Sequence, residues 1–210
     1  MKVPVVKITV FLLVAAHSGA VHAGIEGSKH DFSGRGWSGG RICVVCHTPH
    51  GADLSVAGAP LWNHQVTAAT ATYQLYSSPT LDATVSAPEH YGSKLCLSCH
   101  DGTVAIDSFG GSTGSEFVTG KALIGTDLRG THPIGIVYDA GLATTDGQLY
   151  NPESRTSGLG GTINEDMLFG TGNLECASRH DVHNTESAGK PFLLRITTDG
   201  SALCLTCHDK

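Results

Sequence analysis

Apolar residues in this chain of 210 residues rarely keep helical or strand spacing for long, because Gly, Ser and Thr interrupt them repeatedly. The pattern predicts mostly irregular chain with short α-helices and a few short β-strands. One stretch differs. "MKVPVVK" is a short basic start, "ITVFLLVAA" an apolar run, and "VHA" a small-residue cleavage site before Gly24. The run is too short to span a bilayer, and nothing later is long and apolar enough. Residues 1–23 therefore read as an export signal cleaved after Ala23. The expected location is the periplasm, outer surface or exterior of a bacterium, with no membrane span after cleavage.

Composition sharpens this picture. Gly is abundant at 27 residues, while charged residues reach 15% and aromatics 6%. Side chains alone would make a thin core, so something else is expected to supply part of it. Without Lys2 and Lys7 the chain has 11 basic and 19 acidic side chains, a net charge of −8. That balance argues against nucleic acid and against an anionic membrane surface.

The chemistry lies in seven cysteines. Six fall in Cys-x-x-Cys-His units: "CVVCH" with Cys43, Cys46 and His47, "CLSCH" with Cys96, Cys99 and His100, and "CLTCH" with Cys204, Cys207 and His208. This is the attachment signature for c-type haem. Two thiols at that spacing can each add to a haem vinyl group, and the adjacent imidazole meets the iron. A redox dithiol or a zinc site explains one such unit but not three.

A duplication follows from comparing the units. "GSKLCLSCHDG" matches "GSALCLTCHDK", and each is preceded by a unit with a further histidine three places on: "CVVCHTPH" and "CASRHDVH". In this alignment Cys176 and His180 mark a third haem site, and Arg179 stands where a second cysteine would. Four haems are expected, the third held by one thioether at Cys176, or three if that site is dead. The chain divides into a first paired half, 24–135, and a second, 136–210.

His47, His100, His180 and His208 are the expected proximal ligands. Methionine is nearly absent, at two residues, so distal ligands should be histidines too, which lowers the potential. His30, His50, His64, His132 and His183 are five candidates for four places. His90, in "APEHYG", reads as a surface loop residue. His30, close to the mature N-terminus, is the one favoured to reach a haem of a neighbouring subunit.

The segments "HDFSG", "ICVVCHTPH", "PLWNH", "LCLSCHDGTVAIDSFGG", "THPIG", "CASRHDVHN" and "LCLTCH" together resemble the doubled-CxxCH multihaem cytochromes, in particular the extracellular filament-forming tetrahaem cytochromes of metal-reducing bacteria (OmcE-type). The resemblance spans about residues 30–208 and departs from the pattern at Arg179. It implies a multihaem cytochrome c fold with a core of stacked bis-histidine haems, and ligation of one haem across a subunit boundary.

Electron transfer is the leading functional expectation, with other redox cytochromes or extracellular electron acceptors as partners and self-assembly into a filament as a further one. Saturated irons pass electrons and bind no substrate, so no enzyme activity is expected. The competing reading is a multihaem reductase with an open haem at the "CASRH" site. A zinc protein ranks last.

Overall fold

The computed structural model describes residues 24–210 apart from 184 and 188, so the expected export signal at 1–23 lies outside the described residues. Most of this chain is turn and irregular segment. The longest helix, α1 (Tyr91–His100), carries Cys96, Cys99 and His100 at i, i+3 and i+4, which places them on one face. Two short helices have local reasons to form. In α2 (Ala140–Asp146) the Asp139 carboxylate accepts from the Leu142 N–H, and Gly147 ends the helix at φ 69°. In α3 (Ile163–Asp166) Thr162 and Glu165 form a capping box. The last helix, α4 (Ala202–Cys207), carries Cys204 and Cys207.

α-Helices thus occur at two of the four motifs. The other two motifs are single turns, and their flanks explain why. Gly39 and Gly40, both at positive φ, lie just ahead of Cys43. The third motif begins directly after an extended strand, β2 (Asn173–Leu174). That strand pairs antiparallel with β1 (Ile136–Val137), Ile136 opposite Leu174 and Val137 opposite Asn173. No helix among the described residues is long and apolar enough to cross a membrane.

Side-chain packing is divided among three small clusters. Tyr138, Ala143, Ile163, Met167 and Leu168 form one, with Cys207 at its border. Tyr73, Leu97, Leu128 and Ile134 form a second, against which Cys176 packs. Val56, Trp62 and Leu95 form a third, beside Cys46. Each cluster touches a haem-motif cysteine, so apolar packing and the motifs occupy the same places.

Gly135 joins the segments around the sheet. Its N–H donates to the Leu174 carbonyl, and its own carbonyl accepts from the Ser86 N–H. Its φ is +71°, and a Cβ here would lie 2.3 Å from the Ser86 carbonyl oxygen. Gly135→Ala therefore meets both a left-handed backbone and a backbone clash. A destabilisation of about 2 kcal/mol or more is expected, read as a lower melting temperature of the mature protein.

Candidate functional site

All four motifs share one backbone device. The histidine N–H bonds back to the carbonyl of the first cysteine: His47 to Cys43 at 2.8 Å, His180 to Cys176 at 3.1 Å and His208 to Cys204 at 2.9 Å, with the same turn inside α1 for His100. The third motif has this geometry even though Arg179 replaces a cysteine. Loss of the thiol leaves the turn that presents Cys176 and His180 intact.

A second device sets the rings. His47 Nδ1 lies 2.7 Å from the Pro60 carbonyl oxygen, His100 Nδ1 2.7 Å from that of Ala122, and His180 Nδ1 2.8 Å from that of Phe192. A carbonyl oxygen only accepts, so each Nδ1 carries the proton and each Nε2 keeps its lone pair for a metal. This is how a ligand imidazole is oriented and made a stronger donor.

Two of these clip loops are copies of one another. Thr48 N–H donates to Leu61 O and Asn63 N–H to Cys46 O; correspondingly, Asp181 N–H donates to Leu193 O and Arg195 N–H to Arg179 O. Asn63 Nδ2 bonds the Val44 carbonyl where Arg195 Nε bonds that of Ala177. Both loops hold apolar residues at positive φ, Leu61 at 49° and Phe192 and Leu193 at 57° and 55°. Such backbone costs on the order of 1–3 kcal/mol per residue and is retained where the geometry serves a site. The G-x-P of "GAPLWN" recurs in "GKPFLL", one residue out of register with the paired bonds, and is the signal that sequence reading passed over.

The distal candidates separate clearly. His30 faces His100 with ring centroids 6.0 Å apart, His183 faces His47 at 6.1 Å, and His132 faces His208 at 6.4 Å. A metal with an imidazole nitrogen at about 2 Å on each side would hold the two centroids roughly 6 Å apart. The donor sets therefore fit a bis-imidazole haem iron at three of the four motifs. Burial, first of all, pushes His30 and His132 down to about 4, so both are neutral donors at ordinary pH.

His30, expected to extend to a neighbour, is held within its own chain. Trp37 Nε1 and Arg35 both bond the Glu116 carboxylate, and Phe32, Trp37 and Phe109 stack in series. His64 is buried between the carbonyls of Gln65 and Ala105, at 2.8 and 3.0 Å from its two ring nitrogens. His50 is exposed and meets no other ring among the described residues. His90 stacks on Tyr91 at 4.5 Å. His180 is exposed, and no imidazole faces it among the described residues.

The motifs also lie next to one another. The Cys99 and Cys96 thiols feel Cys46, Cys96 contacts Cys176, and Arg179 acts electrostatically on Cys204 and Cys207. Helix α1 packs on the Cys176 turn, where the Cys176 N–H donates to Ser93 Oγ at 3.0 Å.

The model of the doubled CXXCH motif family matches residues 164–210, the C-terminal stretch that contains Arg179. No curated protein matches the chain. The match supports a multihaem c-type cytochrome with covalently bound haem.

Glu175 is a site residue that sequence reading missed. It is 2% exposed at the junction of α1 and the Cys176 turn, and its Oε2 has no partner. Burial raises its carboxyl from the ordinary range to about 7, against the opposing pull of the Ser93 hydroxyl. Because the folded pKa lies above the unfolded one, Glu175 is tolerated when protonated and destabilises as pH rises from about 4.5 through 7. Glu175→Gln should therefore raise the melting temperature at pH 8 and give little gain at pH 4. Equal gains at both values would contradict this.

Proposed function

We propose that the protein carries electrons through four covalently attached c-type haems, three of them ligated by the pairs His47/His183, His100/His30 and His208/His132. The carrying observation is that the two rings of each pair stand opposite one another with centroids 6.0–6.4 Å apart. When bound, haem supplies a one-electron iron couple.

The chain's residues do the rest. Cysteines tether the group and the turn hydrogen bonds fix where the tethers begin. The carbonyls of Pro60, Ala122 and Phe192 hold a proton on Nδ1, which strengthens the Nε2 donor and favours the oxidised iron. The adjacency of the four motifs supports close spacing of the groups and a stacked core. We place the carrier outside the cytoplasm, because the N-terminal sequence reads as an export signal and haem attachment through both thiols needs them free.

The mature protein should show the mass of four haems, and Cys176→Ala should lower the count to three. His183→Ala should leave the count at four, convert one haem from the low-spin to the high-spin ferric spectrum, and raise the potential of that haem. A spectrum unchanged by His183→Ala would remove the pairing with His47.

Assembly is a second reading, favoured by one observation. His183, three places after its proximal histidine, serves His47 of the partner motif, and its counterpart His50 is exposed without a ring partner. Repeating the same donation between chains brings His50 to His180 of another copy, a head-to-tail contact that propagates. His50→Ala should abolish filaments in negative-stain micrographs without altering the haem count.

A further inference from the structure

The third motif combines three features found together nowhere else among the described residues. Its proximal ring is exposed, with Nδ1 clipped to Phe192 and no imidazole opposite. The histidine three places further along, His183, is engaged with His47. Beside it stands Arg179, half-buried, in the neighbourhood of Cys176, Cys207 and Cys204. No carboxylate pairs with Arg179 among the described residues. An arginine so placed is a partly desolvated cation without an anion, and such a charge favours an anionic neighbour.

We propose that the third motif, in a chain not joined to another copy, is a binding site for small anionic ligands with a lone-pair donor atom, which take the sixth iron position under the influence of the Arg179 charge. This rests on the haem reading above. His180 provides the fifth ligand, and Cys176 the single covalent tether. The other three motifs have an imidazole already in place, so a ligand there must displace it.

The same site would then be closed by polymerisation. A histidine from a second copy and a small anion compete for one position, so only a free end of an assembly takes up ligand.

Oxidised, haem-loaded His50→Ala protein, with its haem count fixed beforehand by intact mass, would be titrated with cyanide and, separately, with neutral imidazole. The Soret band reports binding. One cyanide per chain is expected, and filaments of the unaltered protein should take far less than one. Arg179→Gln should lower the cyanide affinity relative to imidazole by about tenfold, the effect of roughly 1.4 kcal/mol, while Arg179→Lys keeps the preference. No cyanide uptake by a four-haem chain overturns the proposal. A mass of three haems overturns it by removing the haem reading at this motif. An unchanged cyanide-to-imidazole ratio in Arg179→Gln overturns the role of the charge. One cyanide per chain in intact filaments keeps the ligand site and rejects its closure by His50.

Discussion

The hydrogen bond from a proximal imidazole Nδ1 to a backbone carbonyl is the constraint on which the architecture turns. At His47, His100 and His180 it fixes ring orientation, settles which nitrogen is free, and ties the motif to a loop 12 to 22 residues further along. To supply those carbonyls the chain accepts left-handed backbone at Leu61, Phe192 and Leu193 and leaves Leu61 and Phe192 exposed. Apolar side chains would ordinarily avoid both conditions. Beside the opposed rings, apolar packing is divided among three small clusters.

The duplication is deeper in the backbone than in the letters. The first and third motifs share a turn, a clip and two flanking backbone bonds, although Asn63 corresponds to Arg195 and Cys46 to Arg179. Both Asn63 and Arg195 use a side-chain N–H to hold a carbonyl within the motif. The common requirement is a donor of adequate reach, and an amide or a guanidinium meets it equally. Main-chain geometry is therefore retained where side-chain identity has drifted.

Much of the site was legible because its chemistry demands fixed spacing. Two thiols three residues apart and an adjacent imidazole have no substitute, so the motifs stood out, Arg179 included. The scarcity of regular structure was legible too, from the broken apolar pattern. The distal pairing was not, since an imidazole can arrive from any distance along the chain. His30 meets His100 across 70 residues, and what holds it there is Glu116, joined to Trp37 and Arg35. Backbone acceptors such as the Ala122 carbonyl leave no residue signature at all. Glu175 escaped for a related reason: nothing in "NLECAS" tells that its side chain packs against Gly92 with a carboxyl oxygen unpaired among the described residues.

Arg179 shows how such a scaffold tolerates change at a motif. Removing one thiol takes away a tether, yet the Cys176 turn, the Phe192 clip and the packing of that turn on α1 are all backbone features and survive. Position is thus maintained while charge is altered. A cation set between the third and fourth motifs stabilises whichever neighbouring state is more negative, and for an iron couple that is the reduced one. The same charge makes His132 a poorer base and opposes protonation of His180. Arg179 therefore acts on two motifs at once, because the clips and turns hold them close and, among the described residues, no carboxylate pairs with the guanidinium.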